Sequence, residues 1–171
     1  GIHGGHADSL VKRFTAAGPD LATRAGLEAV LDFAKAHPGA DLWGALPCTT
    51  MCAWQRINVV RLGENSQREL ERRHGRLCRM LKHFIIVAVV VYNNGGSVSF
   101  EWPKSSLGWK LRLVALMLKR LPFGSDIVDG CTLATVSARG DSVLKGWRII
   151  STCKLLLDRL AGLRCTRDHS H

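Results

Sequence analysis

The chain has 171 residues, with 24 lysines and arginines against 14 acidic residues and a formal net charge of +10. Its composition, 46% hydrophobic and 22% charged, is that of a globular domain and excludes disorder as the main state; the length suits a single domain, 1–171, with one core. The charge favours a polyanionic partner such as nucleic acid over an acidic one, although a merely soluble basic protein would carry it too.

The longest apolar run, 84–92, is far short of the roughly 20 residues of a membrane span. No basic-then-apolar signal segment opens the sequence, so a membrane role is not expected. Six cysteines stand at 48, 52, 78, 131, 153 and 165. Scattered through a chain with ample apolar residues, they predict free thiols in a reduced, intracellular setting, nuclear or cytoplasmic, rather than a disulfide framework. Some are core filler and others are candidates for metal binding or catalysis.

In chain order, residues 9–15 alternate as a short strand. Residues 22–36, with Leu27, Val30, Leu31 and Phe33, predict an amphipathic helix capped by Asp20 or Thr23 and stopped by His37-Pro38-Gly39. Residues 41–46 form a short apolar strand running into a turn at Pro47-Cys48-Thr49-Thr50. Residues 65–93 predict a long helix, because Leu70, His74, Leu77, Cys78, Leu81 and Phe84 recur at steps of three and four. Its β-branched end, IIVAVVVY, reads as the buried part of that helix, closed by Asn93-Asn94-Gly95-Gly96. Residues 97–102 alternate as a strand, 111–121 are helical, 126–135 strand-like, 145–152 a strand and 153–163 a final helix. This order predicts an α/β, Rossmann-like domain with a mainly parallel sheet flanked by helices. In such sheets ligands gather beyond the carboxyl ends of the strands.

Two strand ends carry reactive side chains, Cys48 after 41–46 and Glu101 after 97–99. On neighbouring strands, a thiol and a carboxyl meet in one crevice, where a thiolate attacks an electrophilic carbon and an acid protonates the ring. The plain alternative is a small buried cysteine and a capping glutamate. Resemblance shifts that balance. Leu42-Trp43-Gly44-Ala45-Leu46-Pro47-Cys48-Thr49-Thr50 resembles the Pro-Cys loop of cytosine-5 DNA methyltransferases, and Ser99-Phe100-Glu101-Trp102-Pro103 is similar to their Glu-Asn-Val strand end. The variant is that of divergent methyltransferase-like domains in phages, mobile elements and some protist proteins. Asp129-Gly130-Cys131, the segment 145–152 (KGWRIIST) and the segment 164–171 (RCTRDHSH) follow in the family's order, so the likeness covers about residues 19–171 and only loosely residues 1–18.

The resemblance implies that Cys48 adds to carbon 6 of cytosine, that Glu101 holds the base, that Pro47 fixes the loop beside Thr49, and that Trp102 and Arg148 contact the base or a phosphate. The target base would then leave its stack. The family's cofactor is S-adenosylmethionine, held by a glycine-rich turn after a first strand. That strand and turn are missing here, and Leu46 replaces the first proline of Pro-Pro-Cys. The expected fold is therefore a partial sheet, completed by an upstream segment or a partner chain.

Cys165, His169 and His171 form a compact ligand set, the two histidines on one side of an extended tail. Zinc in a structural site takes four Cys or His ligands. The resemblance makes Cys131 the fourth, with Cys153 in reserve, so that zinc would pin the C-terminus and couple metal to folding. Arg56, Arg61, Arg68, Arg72, Arg73, Arg76 and Arg79 either track a phosphate backbone or form a solvated helix face balanced by Glu64, Glu69 and Glu71. Trp54, Trp102 and Trp109 are candidates for stacking on a base. Three functions follow as expectations. The first is a methyltransferase-like domain acting on nucleic acid. The second is a non-catalytic, zinc-stabilised nucleic-acid or protein interaction module of a viral or mobile-element polyprotein. The third is a cysteine hydrolase pairing Cys48 with His74.

Overall fold

The computed structural model describes residues 11–52 and 54–171. Among them are five helices, α1 (Arg24–Ala36), α2 (Trp54–Leu62), α3 (Glu64–Asn93), α4 (Arg112–Arg120) and α5 (Lys154–Leu160), and four strands, β1 (Leu42–Gly44), β2 (Val98–Pro103), β3 (Gly124–Asp129) and β4 (Gly146–Ser151).

The 30-residue helix α3 organises the rest. Leu77, Leu81, Phe84, Ile85, Ala88 and Val91 are buried along one stripe, the repeat that turns a single helix face toward a core. The β-branched stretch stays helical because its side chains lie in that core, where packing outweighs intrinsic strand preference. The helix ends where Gly95 takes a positive φ of 84° and the Gly96 N–H returns to the Val91 carbonyl at 3.0 Å, an ending that favours glycine. Helix α1 begins as expected at Thr23, whose hydroxyl accepts the Gly26 N–H at 3.0 Å. It packs Val30 and Ala34 into the same core. An ion pair with two contacts, at 2.7 and 3.0 Å, joins Arg76 of α3 to Asp20 ahead of α1.

The strand order is β1-β2-β4-β3. β1 and β2 are parallel, whereas β4 runs antiparallel to both β2 and β3. The expected mainly parallel sheet is thus a mixed one. The reason lies in the connections. A parallel pairing needs a crossover of a dozen or more residues, usually a helix. Helix α3 supplies it between β1 and β2, and α4 carries the chain from β2 to β3. The β3–β4 link instead folds back through a turn over Gly130–Leu133 and an isolated Val136–Ser142 bridge, so β4 returns in the opposite direction and inserts between β2 and β3.

Strand alternation sorts the side chains. Val98, Phe100 and Trp102 of β2 join Leu42 and Ile150 against α3, flanked by Val114 and Met117 of α4. Gly44 sits where a Cβ would come within 2.5 Å of the Phe84 ring, so β1 lies tightly under α3. The opposite face carries Trp43, Ser99, Glu101, Ile149 and Ser151. There α5 packs on β3 and β4, with Leu157 against Gly124. The buried Ser99 and Ser151 hydroxyls bond each other at 2.9 Å.

Other expectations shift. The described part of 9–15 forms no strand; Phe14 packs edge-to-face on Phe33 of α1 at 5.8 Å instead. Residues 126–135 leave the strand at Asp129, because Gly130 opens a turn that ends with Ala134 at φ 54°. Helix α2 was not expected. Replacing the fully buried Leu81 by alanine should cost about 2–5 kcal/mol, measured as a lower denaturant midpoint. The same change at the 42% exposed Leu116 of α4 should stay within about 0.5 kcal/mol.

Candidate functional site

The pairing of Leu42 with Val98, Trp43 with Ser99 and Gly44 with Phe100 carries the Pro47-Cys48 loop and Glu101 to the same end of two adjacent parallel strands. The loop is anchored there by the Trp102 indole, which donates to the Leu46 carbonyl at 2.7 Å. Cys48 is partly buried and packs against the core, and its carbonyl accepts the Met51 N–H at 2.9 Å. Pro47 and Thr49 are exposed. The Thr50 hydroxyl is buried without a hydrogen-bond partner among the described residues.

Alternation then separates the two reactive groups. Phe100 and Trp102 are buried on the α3 side, so Glu101 between them projects from the opposite face, while Cys48 packs on the α3 side. Glu101 is half-buried, and that desolvation raises its carboxyl pKa above the ordinary glutamate value. The Trp43 indole works weakly the other way. No ion pair among the described residues reaches it.

The aromatic candidates divide. Trp102 is 1% exposed, with its N–H committed to Leu46, so it offers no free face for a base. Trp109 donates to the Pro103 carbonyl at 2.9 Å and underlies the Arg148 guanidinium at 4.7 Å. Arg148 also donates to Ser125 at 3.1 Å and enters no ion pair among the described residues. Trp54 is 69% exposed on α2.

The arginine row on α3 is largely self-neutralised. Arg72 and Arg73 both bond Glu69, at 2.7 and 2.6 Å, and hold its carboxyl down to about 2. Arg68 pairs with Glu64 and Arg76 with Asp20. Arg61 and Arg79 are exposed, and the Arg56 side chain lies outside the described residues. His74 is bonded to Cys78 on its own helix, Nε2 to Sγ 3.6 Å, so the Cys48–His74 pairing expected for a hydrolase is not formed.

The third constellation comes together. Cys131, Cys165, His169 and His171 present ligand atoms that all lie within 4.8 Å of one another. The Cys165 sulfur is 3.8 Å from His169 Nε2 and 3.3 Å from His171 Nε2. A tetrahedron with metal bonds of about 2.0–2.3 Å has ligand–ligand edges of roughly 3.3–3.8 Å, so this donor set can hold a metal ion. The surroundings fit. Partial burial, the adjacent Cys165 thiol and Asp129 all raise the Cys131 pKa, a penalty on the thiolate that a cation would offset. Cys153, the reserve ligand, stands at the start of α5 and takes no part.

Two residues around this cluster escaped the sequence reading. Asp168 Oδ1 bonds His169 Nδ1 at 2.8 Å, which leaves Nε2 free to coordinate, a support common behind metal-bound imidazoles. The buried Asp129 accepts the Cys165 N–H at 3.0 Å and so holds the tail beside the turn carrying Cys131. The signal for Asp168 was its place beside His169; for Asp129 it was its place two residues before Cys131.

Two measurements follow. After gel filtration the protein should retain about one metal equivalent per chain, and the double variant Cys131→Ser/Cys165→Ser only a small fraction of it; full retention by the variant would put the metal elsewhere. A carboxyl whose folded pKa is raised contributes stability below the unfolded value, lost as pH rises through the folded value. Glu101→Gln should remove that loss and be more stable than the parent at neutral pH, as read from pH-dependent melting. Neither a protein-family model, nor a curated protein, nor a solved structure matches the chain.

Proposed function

We propose that the chain is a zinc-stabilised α/β domain that binds nucleic acid without itself transforming it. Zinc is the metal that best suits two thiolates and two imidazoles in a closed set. Bound there, it would fasten residues 165–171 to the turn after β3, and that fastening would make the tail's order metal-dependent.

One observation carries the choice of partner. Between Glu101 and Asp126 stand Lys104, Lys110, Arg112, Lys119 and Arg120 and no acidic residue. All five are exposed, and none joins an ion pair among the described residues. This contrasts with α3, where Arg68, Arg72 and Arg73 pair with glutamates of their own helix and Arg76 pairs with Asp20. Uncompensated exposed cations are the feature that binds phosphates by releasing counterions.

The methyltransferase resemblance supports a second reading, in which Cys48 attacks cytosine. The parallel pairing of β1 and β2, which brings the Pro-Cys loop and Glu101 to one end, favours it. It further needs sulfur and carboxyl in one cleft, which the alternation of β2 disfavours. S-adenosylmethionine rests on the resemblance alone.

Fluorescence anisotropy with a single-stranded oligonucleotide tests the proposal. The logarithm of the binding constant should fall with the logarithm of salt by about 0.7 per phosphate neutralised. Lys110→Ala/Arg112→Ala/Lys119→Ala should weaken binding and flatten that slope, whereas Arg72→Ala should change little. Absence of binding at about 50 mM salt would overturn it. With 5-fluorocytosine in the oligonucleotide and S-adenosylmethionine added as methyl donor, a denaturant-stable adduct through Cys48, trapped because fluorine at carbon 5 blocks the elimination that would release the thiolate, would select the second reading instead.

A further inference from the structure

The donor cluster at the C-terminal tail contains two sulfurs from distant parts of the chain. Cys131 stands on the turn after β3 and Cys165 on the tail beyond α5, yet the two sulfurs lie within 4.8 Å of each other. The backbone around them imposes that approach. The Asp129 carboxylate accepts the Cys165 N–H at 3.0 Å, and the Asp129 N–H donates to the Leu163 carbonyl at 3.0 Å. Arg164 pairs with Asp126 of β3 at 3.0 Å. None of these contacts uses a metal-donor atom, so the two thiols remain neighbours whether or not the imidazoles are engaged. Both cysteines are partly exposed, and His169 and His171 are exposed, so a small polar reagent reaches the sulfurs. The other thiols are placed differently: Cys48 packs against the core, and Cys78 is bonded to His74 on α3.

We propose that Cys131 and Cys165 are a modification site for a hydroperoxide, whose product is one intrachain disulfide that releases the metal and keeps the base of the tail fastened. The proposal rests on the reading that the four-residue set holds zinc, and it adds how that site is opened. A thiolate is the attacking species. The first sulfur attacks one peroxide oxygen, the O–O bond breaks, and the leaving oxygen takes a proton as water or alcohol. That sulfur is then a sulfenic acid. The second thiolate attacks it, the S–S bond forms, and hydroxide departs and is protonated by solvent. Two thiolates have given up two electrons, and the hydroperoxide has taken them. With both sulfurs consumed only two imidazoles remain, half the donors of a structural zinc site, so the ion is released. A set with two sulfurs allows a single pairing, and the neighbouring thiolate intercepts the sulfenic acid before it climbs to the irreversible sulfinic acid. The disulfide joins the same two segments as the ion does. Residue 165 therefore stays docked on Asp129 while residues 166–171 are let go. Arg167, exposed and standing between the ligands Cys165 and His169, reports that release.

The test treats the zinc-loaded protein with hydrogen peroxide. Metal release is followed with a chromogenic chelator, disulfides by peptide mapping, and the tail by trypsin cleavage after Arg167; each variant's fold is checked by circular dichroism. About one equivalent of metal should be released per Cys131–Cys165 disulfide formed, and cleavage after Arg167 should become faster in step with it. Dithiothreitol followed by zinc should reverse both changes. Cys131→Ser should abolish the disulfide. His171→Ala, which weakens the metal site and leaves both sulfurs, should still form it. Zinc retained under excess peroxide, or Cys131 and Cys165 recovered as sulfinic acids or in disulfides with other cysteines, would overturn the oxidation site and leave the zinc reading standing. A chain that carries no metal after loading would overturn both.

Discussion

The burial of α3 against one face of a four-stranded sheet is the constraint from which the rest follows. Leu81, Phe84 and Ala88 meet Phe100 and Trp102, with the Phe84 and Phe100 rings 5.3 Å apart. A strand has only two faces, so committing Phe100 and Trp102 inward sends Glu101 outward. The same commitment leaves Trp43 on the outward face of β1, beside Gly44, whose bare Cα lets the strand approach Phe84. Packing on one side of the molecule thus decides which chemistry is offered on the other.

The two sides are stabilised differently. The core on the α3 side draws on three helices, α1, α3 and α4, and on an aromatic cluster of Phe100, Trp102 and Trp109, a large apolar area withdrawn from water. The outer side has only the seven-residue α5 and the tail that follows it. A helix of that length is marginal by itself, and the tail beyond it is held by Asp129 and by the Cys131, Cys165, His169 and His171 cluster. A metal held there would compensate for a thin layer, as metal sites do where apolar burial is small.

Much of this was legible in the sequence. The three- and four-residue repeat over 65–93 was strong enough to outweigh its β-branched end, and Cys165, His169 and His171 announced a ligand set by spacing alone. The direction of β4 was less visible. It depended on noticing that residues 130–145 carry no helical repeat and so cannot cross over. Helix α2 was hidden because Trp54, Ile57 and Val60 are all exposed, leaving no buried stripe to mark it. The motifs around Cys48 and Glu101 were readable as strand ends on neighbouring strands. The faces their side chains take were not, because that depends on Trp102 being buried, and tryptophan beside a strand end fits either a core or a binding surface.

The domain thus joins an apolar core to an exposed, uncompensated basic segment around α4 suited to a polyanion. The most direct measurement is the backbone 15N–H spectrum of the zinc-loaded protein titrated with a single-stranded oligonucleotide. The signals of Lys110, Arg112 and Lys119 should move to saturation, while those of Arg72 and Arg73, paired with Glu69, should stay in place. Signals around α4 that do not move when the oligonucleotide is fully bound would contradict the assignment of function to that segment.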